Sequence, residues 1–333
     1  ADVEGDGGLN GESLPSRKAQ TAWMLYSITG DKDKLAEVYP AVKAHMGWSS
    51  EHLAWNIDSH YPGSGVPASQ ERDAEFVNSL AIDLDYAAES ARVLGLDSDA
   101  ASFLSLQKTL LAQYQEWFFM PDGRAVQYYW TSKPDATYDQ RKGTVNYVGT
   151  GLHLPGLTDA ETTAIMARFD AEYNPVAQFA GTASDSIKTP DAQFVAYGLI
   201  EHGQAEKVQV YLESTLRDIT RTNRFSEVYQ QGKNPGDAPI SRGESPTTFG
   251  MAHVIDNLWM LNGYRSDEGT PTFVRLPGAT GGVSGLHYLG RSFSIDLDGT
   301  QVVLGGDAVA QPGVCDRVDA PEGQPIELTA TCG

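Results

Sequence analysis

Through most of the chain apolar residues recur at steps of three and four, the period of a helix with one buried face; near the end the step shortens to two. In "LPSRKAQTAWMLYSITG" and "DKDKLAEVYPAVKAHMGWSSEHL" the pattern predicts a helix, a short turn and a second helix, with Leu35, Val38, Tyr39, Val42 and Met46 on one face. "ERDAEFVNSLAIDLDYAAESARVLG" sets Phe76, Val77, Leu80, Leu84, Ala87, Ala88 and Ala91 on a single stripe, and Asp97 is placed to cap the helix "SDAASFLSLQKTLLAQYQEWFF". "TPDAQFVAYGLIEHG" and "QAEKVQVYLESTLRDI" form a third pair. In each pair the first helix ends at a glycine ("SITGD", "VLGLD", "IEHGQ"), the residue suited to a left-handed C-cap.

Antiparallel helix pairs repeating along a chain are the mark of stacked hairpins, as an open solenoid or a closed toroid. The long aromatic-rich connections "WNIDSHYPGSGVP", "MPDGRAVQYYWTSKPDATYDQRKG" and "RFSEVYQQGKNPGDAPISRGESP" favour the toroid, where they gather at one end around a pocket. The chain therefore reads as mainly α: an (α/α)6 toroid of helical hairpins over residues 1–266 and a small β-sandwich-like domain over residues 267–333. In the latter, "TPTFVRLPG", "SGLHYLGRSFSIDLDG" and "TQVVLGG" alternate polar with β-branched or aromatic residues, and "LDGT" reads as a turn. About nine or ten helices are counted, short of the twelve that six hairpins require, which points to a domain lacking its beginning.

Charge narrows the partners. A formal net charge of −20 repels phosphate backbones, excludes nucleic acid and suits neutral ligands such as sugars. No run approaches the roughly 20 apolar residues of a membrane helix, so no membrane partner is expected. The two cysteines, Cys315 and Cys332, sit close together near the end of a Cys-poor chain, which suggests a terminal disulfide and a secreted, periplasmic or cell-surface location. The polar, Gly-rich start carries no signal-peptide pattern.

The seven histidines are scattered and form no HExxH pair, and no phosphate-binding glycine loop is present. "DVEGDGGLNGE" places Asp2, Glu4, Asp6 and Gly7 as in a calcium loop, but its closing acid, Glu12, comes one position early and no helix precedes it. No metal or cofactor is expected. What remains is carboxylates and aromatics, the kit of sugar hydrolysis: one acid to protonate the leaving oxygen, another to activate water or attack directly. Asp58 lies among Trp55, His60 and Tyr61, and an aromatic wall both stacks on sugar rings and raises a carboxyl pKa. Glu227 lies among Phe225, Val228 and Tyr229. Taken alone, each residue also fits a structural role, as an Asx turn or a surface glutamate.

These segments resemble those of the α/α-toroid glycosidases of family 63, related to the trehalases. "WNIDSHYP" is similar to the loop that carries the general acid there, and "FVNSLAIDLDYAAESARVLGL" follows it at the family's spacing. "NRFSEVYQQG" is similar to the segment whose Glu is the general base, "SIKTPDAQFVAYGLIEHG" takes the place of a substrate-binding stretch, and "SPTTFGMAHVIDNLWML" that of the closing helix. Trp55-Asn56 stands where the family has Ser-Gly. Ile187-Lys188-Thr189-Pro190 stands for Trp-Arg-Gly-Pro, and a Lys does not copy the bidentate Arg. Rhamnosidases and other families also place a helical toroid beside a small β-sandwich, so the general plan is not specific to one of them.

The resemblance implies an inverting glycoside hydrolase acting on an oligo- or polysaccharide, with Asp58 as acid and Glu227 as base. Trp55, His60, Tyr61, Tyr128, Tyr129, Trp130 and Lys188 would line the sugar site. Glu244 is the reserve base; Glu71 and Asp73 are reserve acids, expected in the solvated first turn of their helix. Two alternatives stay open: a toroid polysaccharide lyase using Asn56, His60 and Tyr61, and a non-catalytic carbohydrate-binding protein.

Overall fold

The computed structural model describes residues 15–54, 70–121, 123–126, 128–130, 151–172, 186–230, 237–243, 245–265, 269–279, 281–307 and 316–328. The chain divides into two compact units. One comprises residues 1–26, 31–141 and 154–168; the other comprises residues 27–30, 142–153 and 169–333. The described residues hold eight helices of at least twelve residues, against the nine or ten expected.

The first unit is built on hairpins. α1 (Lys18–Thr29) and α2 (Lys32–Ser49) are separated by Gly30, at φ +69°, and Asp31, whose carboxylate caps α2 by accepting from the Lys34 amide at 2.8 Å. α3 (Ala74–Leu94) closes on Gly95 in the left-handed conformation, and α4 (Asp97–Phe118) starts two residues later. Asp97 was expected to cap α4; it is instead the first helical residue, and Leu96 occupies the cap with no side-chain bond. An apolar side chain at the cap position has no acceptor to offer, so Asp97 and Asp99 act on the exposed amides of the first turn through their charge.

α3 departs from the one-sided stripe. Every residue from Ala74 to Leu84 is buried, including Glu75, Asn78, Ser79 and Asp83. Asp83 has a structural reason to be inside. Its carboxylate accepts from the Ser16 hydroxyl at 2.6 Å and from the Gln20 amide at 2.6 Å, so it caps the start of α1. The same Ser16 hydroxyl lies 3.1 Å from His45 Nε2 on α2, as does the Ser49 hydroxyl.

In the second unit, α6 (Thr189–Glu201) and α7 (Ala205–Thr222) form a hairpin through Gly203, at φ +68°, and α8 (Thr248–Leu261) packs on both. α5 (Asp159–Glu172) precedes them in the chain, with its residues up to Arg168 belonging to the first unit. α7 buries Val208, Tyr211, Leu212, Thr215 and Ile219 at helical steps. From Tyr264 onward the described residues form strands and the turns between them. The strands β8 (Val283–Tyr288), β9 (Arg291–Asp298), β10 (Gln301–Gly306) and β11 (Arg317–Asp319) form one antiparallel sheet, and β6 (Tyr264–Arg265), β7 (Thr272–Val274) and β12 (Pro325–Glu327) form another. "LDGT" is the two-residue turn between β9 and β10, where Asp298 pairs with Gln301. Tyr264, Phe273, Leu286, Phe293, Ile295, Val302 and Leu304 make the core of this region, and Trp259 of α8 packs against it. Cys315 and Cys332 lie outside the described residues.

Candidate active site

Trp55, Asp58, His60 and Tyr61, with Asn56, lie outside the described residues, as does Glu244. The base of their connection is described. The Asp73 amide donates to the Leu53 carbonyl at 2.9 Å, which ties the end of the helical segment to the start of α3. Beyond Leu53 stands β1 (Glu71–Asp73), paired antiparallel with β2 (Tyr128–Trp130).

β1 corrects one expectation. Glu71 and Asp73 are not in a solvated helical turn: both are wholly buried, in an extended strand. Asp73 caps α3 by accepting from the Glu75 amide at 2.8 Å, so it belongs to the interior by its geometry. Arg72, between the two acids, supplies a cation; its guanidinium donates to the Glu71 carbonyl at 2.7 Å and lies 5.5 Å from the centre of the Trp117 ring. Burial lowers its pKa. Trp117 in turn stacks on Tyr129, ring centres 5.9 Å apart and planes 12° from parallel. The register sets Glu71 opposite Trp130, Arg72 opposite Tyr129 and Asp73 opposite Tyr128. The "YYW" run is therefore a strand paired with two buried acids and the part-buried arginine between them.

Glu227 occupies a different frame. It directly precedes β4 (Val228–Gln230), the central strand between β3 (Ser186–Lys188) and β5 (Ile240–Arg242). Lys188 pairs with Val228 in register, one position from Glu227, so the backbone brings these two sequence-selected residues together. The turn ahead of Glu227 is fastened on all sides. Ser226 is fully buried, its hydroxyl bonded to that of Ser241 and its amide donating to the Tyr229 hydroxyl at 2.8 Å. Tyr229, also fully buried, donates to the Arg224 carbonyl. The Thr247 amide donates to the Phe225 carbonyl at 2.9 Å, and the Thr247 hydroxyl caps α8. Glu227 itself is half-buried, with its carboxylate over Gly243.

A further polar cluster escaped the sequence reading. His153 Nδ1 and Arg265 both meet Glu201 Oε1, at 2.6 and 2.9 Å, and the Arg265 guanidinium lies 5.1 Å from the centre of the Tyr197 ring. The Tyr197 hydroxyl bonds to the Asp256 carboxylate at 2.7 Å. Burial opposes ionisation of Glu201, but the His153 and Arg265 charges outweigh it and hold the carboxyl below its ordinary range. His202 Nε2 meets the Leu152 carbonyl at 2.9 Å, so adjacent residues of two segments clasp each other reciprocally. This arrangement joins secondary structure. Among the described residues no group of three or more acids, histidines or cysteines is arranged to hold a metal ion.

A family model for the bacterial alpha-L-rhamnosidase six-hairpin glycosidase domain matches residues 16–148. The fold is that of a six-hairpin glycosidase, mainly α with C-terminal β elements. Among solved structures, the chain is similar to the GH78 family rhamnosidase of Bacillus sp. GL1 (TM-score 0.55, 12% identity, covering 86% of this chain and 31% of that one). It is similar to a sialidase (TM-score 0.63, 11% identity, 86% and 30%) and to the Streptomyces avermitilis alpha-L-rhamnosidase complexed with L-rhamnose (TM-score 0.52, 17% identity, 85% and 27%). The chain thus spans about three tenths of the length of each of these structures. Comparison with curated proteins returns no match. The glycosidase plan expected from the motifs is present; the matched domain is that of the rhamnosidases, not of family 63.

Proposed function

We propose that this chain carries the catalytic region of a glycoside hydrolase acting on α-L-rhamnosides, with inversion at the anomeric carbon. The observation that carries the reading is the match of residues 16–148 to a rhamnosidase six-hairpin domain, since that stretch includes the Asp58 connection and both strands of the β1–β2 pair. The solved rhamnosidases with the same fold support it.

In this reading Asp58 protonates the departing glycosidic oxygen, and Glu227 takes a proton from a water attacking the opposite face of the sugar. An inverting pair requires about 6.5–9.5 Å between carboxyl groups to admit that water. The fastened turn at Ser226 suits a general base, which has to meet the water in one orientation. This reading assigns sugar stacking to the aromatic residues Tyr128, Tyr129 and Trp130 and hydroxyl binding to Lys188. A rhamnoside is neutral, so the negative charge of the chain presents no barrier to it.

p-Nitrophenyl α-L-rhamnopyranoside tests the assignment. D58N and E227Q are each expected to reduce kcat by about a thousandfold, within the range for lost acid–base catalysis, with KM little changed. Near-normal turnover in either amide variant removes that residue from its role.

A further inference from the structure

We infer that Gly243 is a positioning residue for the Glu227 carboxylate, an inference that rests on Glu227 being the base. Gly243 follows β5 directly, one position beyond Arg242, which pairs with Val228. A β-carbon placed on Gly243 would stand 2.6 Å from Glu227 Oε2, 3.2 Å from its Cβ and 3.4 Å from its Cδ. The carboxylate therefore occupies the space that any other residue at 243 would fill. Gly243 also has φ +67°, a conformation that side-chain-bearing residues rarely adopt.

On the Glu227 side the backbone is held by the buried Ser226 and Tyr229 hydrogen bonds, and on the Gly243 side by the β4–β5 ladder. The flexible partner is the Glu227 side chain. An alanine at 243 relieves its clash by swinging the carboxylate aside while the fold stays intact. The defect should then appear in the chemical step, because a general base displaced by about 1 Å loses on the order of a hundredfold in rate.

The test compares G243A with G203A. Gly203 has a matching φ of +68°, and a β-carbon there meets nothing within 4 Å, so G203A carries the backbone strain without the displacement. Crystal structures of both variants, melting temperatures and kinetics on p-nitrophenyl α-L-rhamnopyranoside are measured beside E227Q. The expected result is a Glu227 carboxylate shifted by about 1 Å or more in G243A alone, with kcat down about 10- to 100-fold and KM changed less than about threefold. Melting temperatures of the two glycine variants should agree within about two degrees. An unmoved carboxylate, or a G243A kcat equal to that of G203A while E227Q is inactive, overturns the inference. A fully active E227Q, by contrast, refutes the base assignment alone, since the carboxylate shift is read from coordinates whatever the activity.

Discussion

His45 and Asp83 meet on the Ser16 hydroxyl, and they resist ionisation for the same reason. Burial, and then the charge of Lys18, hold His45 down at about 4, while burial pushes Asp83 above its ordinary range. Between about pH 4 and 6.5 the unfolded chain binds a proton at His45 that the folded chain refuses, so this residue's contribution is complete above pH 6.5 and is lost as pH falls. Asp83 acts in the opposite sense, since its folded form keeps a proton that the unfolded form releases. H45Q isolates the histidine: chemical-denaturation midpoints from pH 4 to 7 should rise with pH less steeply in H45Q than in wild type. Equal slopes would refute the linkage. None of this was legible in the sequence, where His45 and Asp83 are separated by 38 positions and Asp83 looks like a polar residue in an amphipathic helix. Glu71 and Asp73 were misread for the same reason. An acid beside a helix start looks solvated until its strand is seen to be paired on one side and packed on the other.

At the scale of elements, periodicity and glycine placement served well. The glycines at 30, 95 and 203 all take positive φ where helical hairpins turn, because the left-handed C-cap makes a local demand that one residue type meets. "LDGT" was legible on the same ground, whereas the equally short turn at Leu289–Gly290 was not. Leu289 takes φ +47°, unusual for a side chain of its size, and the contact that holds it there is distant in sequence. The Gly290 amide donates to the Ile28 carbonyl at 2.9 Å, and the Leu289 amide donates to the Ser27 carbonyl, so the β8–β9 turn seats on the end of α1. A β-carbon on Gly290 would fall 2.8 Å from the Thr29 carbonyl oxygen, a backbone atom with little room to yield. G290A is therefore expected to lower unfolding free energy by about 1–3 kcal/mol, the usual cost of imposed backbone strain. Urea melts check this, and an unchanged midpoint would show that the turn is not held by the helix end.

At the scale of the whole molecule, the helical-hairpin plan with C-terminal β elements was open to reading, since it is written in repeats, in helix-ending glycines and in the change of period after Tyr264. The segments that resemble family 63 carry the acids and aromatics of a glycosidase loop set, while the family model that matches residues 16–148 is that of the rhamnosidase domain. Asp58 and Glu227 were selected by their aromatic neighbours; Glu227 proves to sit on a fastened turn beside Lys188, and Asp58 falls outside the described residues.

The proposed chemistry is read most directly from the product. Following cleavage of p-nitrophenyl α-L-rhamnopyranoside by proton NMR, before mutarotation sets in, reports which anomer forms first. The account predicts that β-L-rhamnose appears first and that E227Q suppresses its formation. Formation of α-L-rhamnose first, or no cleavage of the glycoside, would contradict it.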